Sequence, residues 1–328
     1  MMSGILSPAF LQAAGRAGKV KHEPFSGIIL MSLMADPEIS SITGTDIVVT
    51  TTKNGQPHTD TYASLSSDTL AISADKDTKI IISGLISDEL EIGNSVDFVS
   101  IQILNTSIEV LNINSCFALQ SLDLIKNASL IDLGCQDCVN LYSLNIIEDT
   151  LETMNLTNCY TLQSLDLSKC PNVTGISAGN CYALQSLNLS NNLALYSLNI
   201  NTCYTLQSLN LSANTALTSL NCSDCYAMQE LNLSANTALT DLDCSGCLAL
   251  TDLDLSKNTA LTQLNCTNSY GLTKIKYGAT NSDVSTEVAG AITDADAADG
   301  TVYTDSAGAY YSTIETAAQA KGWTIEQL

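Results

Sequence analysis

Basic side chains are scarce in this 328-residue chain: 12 Lys and Arg stand against 34 Asp and Glu, for a formal net charge of −22. Nucleic-acid binding draws on cations that displace counterions from phosphates, so that partner class is excluded. Arg16 is the only guanidinium, which leaves one residue capable of bidentate recognition of phosphate or carboxylate. Histidine occurs twice, at His22 and His58. Neither stands in a motif with a nucleophile or a second ligand, and both read as ordinary surface residues. Long apolar runs are missing too. No stretch approaches the ~18 apolar residues of a membrane span, so no membrane insertion is expected. Residues 1–15 carry no positive charge, and the run Gly27–Met34 is too short and too late for a secretory signal. The first cysteine is Cys116, so no lipid attachment site follows that run. Synthesis in the cytosol is the expectation, and the acidity reads as a device for solubility.

Apolar residues nevertheless make up 45% of the chain, enough for a large core. They are arranged in a repeat of 11 residues, L-x-x-L-x-L-x-x-(N/C)-x-A, running in register from Ile108 to Tyr277. Sixteen half-units fit, and only the step from Leu141 to Leu151 is ten residues. The half-units alternate, so the full repeat is 22 residues and eight coils result. One type carries mostly asparagine at position 9: Asn127, Asn192, Asn214, Asn236 and Asn258, with Asp149 and Cys170 in the same column. The other carries cysteine there: Cys116, Cys138, Cys159, Cys181, Cys203, Cys225 and Cys247.

Positions 1, 4 and 6 are apolar, and the L-x-L part predicts a short strand with alternating faces. Position 9 turns the chain, where a buried Asn can bond backbone groups of its own and neighbouring coils. Position 11 is small, as at Ala118, Ala183, Ala194 and Ala216. Strands stacked ~4.8 Å apart give a section ~38 Å long for eight coils. The strand motif in both halves predicts a mainly β solenoid with two parallel sheets back to back, rather than one sheet backed by helices.

These residues resemble the bacterial leucine-rich repeats with a nested 10/11-residue period seen in the cysteine ladder of internalin J. The resemblance covers residues 108–277 and implies a solenoid used for protein or surface recognition, without naming a partner.

The flanks divide into an N-terminal arm (1–45), a β-rich N-terminal cap (46–107) and a small βα C-terminal cap (278–328). Ile47–Thr52, then Asn54-Gly55, then an alternating polar run, predicts a β-hairpin with a tight turn. Apolar groups at 80–82, 90–92 and 96–103 read as irregular first coils hiding the open end of the sheets. Ser312–Glu315 reads as a capping box before an alanine-rich helix that stops at Gly322, followed by a final strand at 323–328. The segment from Ala309 through Trp323 resembles the terminal βα element that follows such repeats in gut-bacterial surface proteins and their phages.

Catalysis requires a base, a nucleophile or a metal in a cleft. No Gly-rich phosphate loop, nucleophile elbow or His-Glu-x-x-His sequence occurs, so the chain reads as non-enzymatic and free of cofactors. The pairs Cys135/Cys138, Cys222/Cys225 and Cys244/Cys247 have the C-x2-C spacing of zinc sites. The repeat places Cys222, Cys244 and Cys266 at position 6 and Cys225 and Cys247 at position 9. These are two straight columns, from which sulfurs do not converge on one ion. Reduced structural thiols are expected, since seven cysteines in one column cannot all pair. Asp294, Asp296 and Asp299 before Gly300 resemble a calcium loop, but the glycine is one place late and Asp305 stands where Glu is needed. A polar turn is the better reading. The sequons at Asn188 and Asn210 arise because the repeat places Asn two residues before Ser.

Outward positions on one face read Gln163, Ser164, Asp166, then Gln185, Ser186, Asn188. The other face is expected to carry Tyr142 and Tyr196, then Thr218, Thr240 and Thr262. Anchors of the kind that dominate interfaces are few. The exception is an aromatic column at position 10: Phe117, Tyr160, Tyr182, Tyr204, Tyr226 and Tyr270. It either grips a partner or consists of stacked rings covering the turn. Tyr160, Tyr182, Tyr204 and Tyr226, with Tyr142 and Tyr196, are the candidate partner-binding residues. The functional expectation is a phage virion fibre or decoration protein, made in the bacterial cytoplasm, anchored or oligomerised through residues 1–45, and displaying the solenoid to a protein or a cell-surface glycan. The alternative is a cell-surface or secreted bacterial adhesin.

Overall fold

The computed structural model describes residues 27–32, 38–72, 79–93, 98–104, 106–277, 285–295, 300–304 and 311–327. The repeat forms a right-register stack of two strand columns, and its apolar positions 1, 4 and 6 fill the space between them, as Leu195, Leu198 and Ile200 do. Strands of the cysteine-type half-units are β6 (Ser107–Asn112), β8 (Asp132–Gly134), β10 (Thr153–Asn155), β12 (Gly175–Ser177), β14 (Ser197–Asn199), β16 (Ser219–Asn221), β18 (Asp241–Asp243) and β20 (Gln263–Asn265). They make one unbroken parallel sheet in which each residue faces its equivalent in the next coil, for example Leu198 against Leu220 and Leu220 against Leu242.

Strands of the asparagine-type half-units are β7 (Ser121–Ile125), β9 (Ser143–Ile147), β11 (Ser164–Asp166), β13 (Ser186–Asn188), β15 (Ser208–Leu209), β17 (Glu230–Leu231), β19 (Asp252–Asp254) and β21 (Lys274–Tyr277). This second column is not the continuous sheet that the sequence suggested. It pairs β7 with β9, β11 with β13, β15 with β17 and β19 with β21, and is open between these pairs. Position 2 shows the same alternation. Backbone bonds of 2.9 Å run from Gln185 N–H to Gln163 O, Gln229 N–H to Gln207 O and Thr273 N–H to Thr251 O. Side-chain size bears on which column opens: the cysteine-type side mixes Ile113, Leu156 and Ile200 with the smaller Cys135, Ala178, Cys222, Cys244 and Cys266 at position 6, where the asparagine side holds Leu124, Leu167, Leu189, Leu211, Leu233 and Leu255.

The N-terminal part comprises β1 (Gly27–Ser32), β2 (Glu38–Lys53), β3 (Gln56–Ala71), β4 (Lys79–Glu91) and β5 (Phe98–Leu104). β4 runs parallel to β6 and β5 parallel to β7, so each starts one column. β1 lies antiparallel between β4 and β5 and joins the two columns across the end of the stack. The boundary expected at residue 45 is therefore corrected: it falls inside β2, and β1, which was assigned to an arm, is a buried sheet strand whose Ile28 and Leu30 fill the core. The hairpin is as read from the sequence. β2 and β3 pair antiparallel with Lys53 opposite Gln56, and Asn54 (φ 53°) and Gly55 (φ 71°) turn the chain. Left-handed geometry at both central residues matches the twist of the strands it joins.

At the other end, α1 (Ser285–Asp294), β22 (Thr301–Thr304), α2 (Tyr311–Lys321) and β23 (Thr324–Gln327) continue the asparagine column. β21, β22 and β23 are parallel and in register from Lys274 to Thr301 to Thr324. Helices here take the place of the cysteine-side strands. The sequence showed only the second of these two helix–strand units. α2 begins at Tyr311, so the capping box expected at 312–315 lies within the helix, and Gly322 (φ 82°) ends it. Among the described residues no helix is long and apolar enough to cross a membrane. His22, Arg16 and the acidic residues Asp296, Asp299 and Asp305 lie outside the described residues.

Candidate functional site

Two ladders fix the edges of the coils, and the candidate ridge stands on one of them. At position 9 of the cysteine type each thiol donates to the position-6 carbonyl of the preceding coil: Cys138 to Ile113 O (3.1 Å), Cys225 to Ile200 O (3.2 Å), Cys247 to Cys222 O (3.2 Å). Ser269 ends this column with the same bond from its hydroxyl, to Cys244 O at 2.9 Å. Hydroxyl for thiol is the smallest change that keeps a donor there. Asparagine makes the equivalent bond on the opposite edge and adds a second: Asn214 Nδ2 donates to Leu189 O (3.2 Å) and Asn192 O (2.8 Å), and Asn236 repeats the pattern.

One assignment in this ladder is corrected. The ten-residue step shifts the column by one, so Glu148, not Asp149, occupies position 9. Glu148 is buried and accepts Asn127 N–H at 2.9 Å, while Asp149 is exposed. Burial pushes the Glu148 carboxyl above its ordinary value against the lowering effect of the Asn127 bonds. A raised carboxyl favours the neutral form in the fold. Its contribution to stability is therefore present below the ordinary carboxylate range and lost as pH rises through the folded value. Glu148→Gln is expected to raise the melting temperature at neutral pH and to change it little in acid. An equal shift at both pH values would sink this account.

The two ladders differ in the residue before them. Position 8 of the cysteine type is left-handed in every coil: Ser115, Asp137, Asn158, Asn180, Thr202, Asp224, Gly246 and Asn268, with φ between 57° and 67°. That geometry selects Asn, Asp and Gly. On the asparagine edge only Lys126 does the same, and Ala213 and Ala235 sit there instead. Position 5 locks the turn from the other side. Asn210 Oδ1 accepts Ser212 N–H (3.1 Å) and Oγ–H (2.8 Å), and Asn232 with Ser234 does likewise. The Asn-x-Ser triplets are thus turn locks, with the asparagine oxygen engaged.

All twelve cysteines are free and buried. Burial raises the thiols of Cys135, Cys159, Cys170, Cys181, Cys203, Cys225 and Cys244, that of Cys159 to about 12, so their thiolate fraction at neutral pH is negligible. Alkylation by iodoacetamide is expected to be silent in the native protein and complete once guanidinium unfolds it. Rapid native modification of several thiols would contradict the buried ladder. Among the described residues no group of three His, Cys, Asp or Glu is placed to hold a metal.

The aromatic column follows the left-handed turn directly. Tyr160, Tyr182, Tyr204 and Tyr226 form a continuous stack with centroids 4.8, 5.0 and 4.8 Å apart and interplanar angles of 6°, 10° and 15°. The coil spacing sets the ring spacing. Val139 and Leu248 occupy the same position in the flanking coils, which separates Phe117 and Tyr270 from the four stacked rings. Ring faces cover one another, while edges and hydroxyls stay open, with Tyr226 42% exposed. The Tyr204 phenol is raised by partial desolvation in the stack, then by Tyr226, Tyr182 and Asp224. The arrangement offers a stripe of ring edges and phenol hydroxyls; it has no room for a ring to slide between.

Tyr142 and Tyr196 are not part of this ridge, nor of one common face. Tyr142 N–H bonds Gln120 O in the asparagine column, whereas Tyr196 N–H bonds Thr174 O and Tyr196 O accepts Thr218 N–H in the cysteine column. The half-units that begin at Leu141 and Leu195 are of opposite type, so position 2 of one lies on the face opposite to position 2 of the other. Where the asparagine column opens, two grooves form. One of about 600 Å³ lies beside Tyr204, Gln185 and Gln207, between β13 and β15. The other, of about 720 Å³, lies between β17 and β19 and is lined by Glu230, Asp252 and Asp254. Lys276 holds Asp254 at 2.9 Å.

No family model and no curated protein matches the sequence. Among solved structures, a similar one is the functional domain of InlJ from Listeria monocytogenes, described as including a cysteine ladder. It is 22% identical, with a TM-score of 0.32, and the match covers 70% of this chain and 52% of that one. The repeat of this chain is itself a solenoid with 22-residue turns, Ser197 facing Ser219 and Ser219 facing Asp241, and with buried cysteine and asparagine columns.

Proposed function

We propose that this chain is a non-catalytic recognition solenoid of a bacterial surface, an adhesin-type repeat protein that binds a protein or glycan through the tyrosine edge. The supporting observation is the four-ring stack from Tyr160 to Tyr226, an ordered aromatic stripe on a body whose other turn side chains are engaged in holding the coils. Stacked rings are rigid before binding, which lowers the entropy of forming an interface. Support for a virion fibre has not grown with the structure, because no described feature favours a particle over a cell surface. The test is binding of the full chain to immobilised host-surface glycoproteins and to bacterial cells, beside a variant with Tyr160, Tyr182, Tyr204 and Tyr226 replaced by threonine. Loss of a saturable signal in the variant supports the reading. Binding of equal strength in both proteins refutes it.

A further inference from the structure

β1 closes one end of the stack and two helix–strand units extend the other, and among the described residues one long strand is left open along its side. Among the described residues β3 pairs with β2 alone, over residues 56–71. The two-residue turn sets which backbone groups face out. Lys53 and Gln56 form the hydrogen-bonded pair next to the turn, so His58, Asp60 and Tyr62 bond β2, and residues 57, 59, 61 and 63 point their N–H and C=O away from it. The one proline of the strand, Pro57, sits at an outward position where its missing N–H costs β2 nothing. Thr59, Thr61 and Ala63 are exposed; Pro57 withholds one N–H at the turn end of this edge, and beyond it the stretch from 58 to 65 has no further Pro and no Lys or Gly.

We infer that this edge pairs antiparallel with the same edge of a second copy of the chain, with Thr59 on the two-fold axis. A donor–acceptor pair, His58 with Asp60, selects the partner and the register. His58 and Asp60 lie on one face of β3, 3.1 Å apart, both about one-third exposed. Pairing centred on Thr59 sets His58 of each chain opposite Asp60 of the other, and Thr59 opposite its own equivalent, a favourable β-branched pair. Moving the centre by one residue, to Asp60, would bring two carboxylates face to face and is disfavoured. The interface is isologous and closes at two chains. It also places the two solenoids on either side of one continuous sheet, which doubles the number of tyrosine edges per particle.

The test is the mass of the intact chain by light scattering at high micromolar concentration. Twice the chain mass is expected. Thr59→Pro removes an outward N–H without touching a bond to β2, and is expected to halve the mass. His58→Asp is expected to do the same by setting like charges opposite, and the double exchange His58→Asp with Asp60→His is expected to restore the dimer. Circular dichroism melts and silent thiols verify the fold of each variant. A monomeric wild type overturns the inference, as does a dimer indifferent to Thr59→Pro. A double exchange that stays monomeric while folded overturns the register.

Discussion

Asn214→Ala is expected to lower stability by ~2–4 kcal/mol and to split a single unfolding transition into two. The side chain is fully buried, and its amide ties its own coil to the backbone of the preceding coil through Leu189 O and Asn192 O. Alanine leaves a void and two carbonyls each short of one partner. A solenoid is held only by neighbour-to-neighbour contacts, so a weakened junction uncouples the halves on either side. Asn214→Cys provides the contrast. Cys170 already occupies the same column, so cysteine is tolerated geometrically and supplies one weak donor in place of two. Its loss is expected to be smaller than that of alanine. Urea denaturation followed by circular dichroism distinguishes these cases, and a ranking with cysteine below alanine would refute the donor argument.

Trp323→Ala is expected to cost ~3–5 kcal/mol, confined to the C-terminal end. Trp323 is 4% exposed, and its ring lies over Gly300, where an added Cβ would stand 2.3 Å from the ring. The ring thus ties the start of β22 to the end of α2, whose Ala318 O accepts Trp323 N–H at 2.9 Å. Removing it frees two helix–strand units and exposes the edge of β21, an invitation to aggregation. Hydrogen exchange is expected to accelerate across 285–327 and to stay slow across the ladders. Gly300→Ala approaches the same contact from the other side. Because the chain has a single tryptophan, its emission should shift to the red as the ring is displaced. Uniform acceleration along the whole chain, or unchanged emission, would show that the end of the stack does not depend on this contact.

Much of the candidate site was legible because it repeats. The cysteine and asparagine columns follow from spacing alone, as does the tyrosine column at position 10. Whether tyrosines stack was open, since a column of rings can also splay; parallel coils in strict register brought them to 4.8–5.0 Å. Reading positions by counting failed at the one irregular half-unit. A single missing residue exchanged Asp149 for Glu148 in the ladder, while Tyr142 and Tyr196 lie on different faces because their half-units are of opposite type.

By itself the sequence determined the period, the buried positions and the turn residues. These depend on local chemistry: apolar alternation, a donor at position 9, Asn, Asp or Gly where the backbone is left-handed. Tertiary structure alone decided what depends on distant segments meeting. It drew β1 from the N-terminal region into the gap between the two columns, because an open sheet end needs a strand and Ile28 and Leu30 need a core. It also opened the asparagine column at alternate junctions, a pairing pattern that depends on how successive coils meet and not on any single repeat.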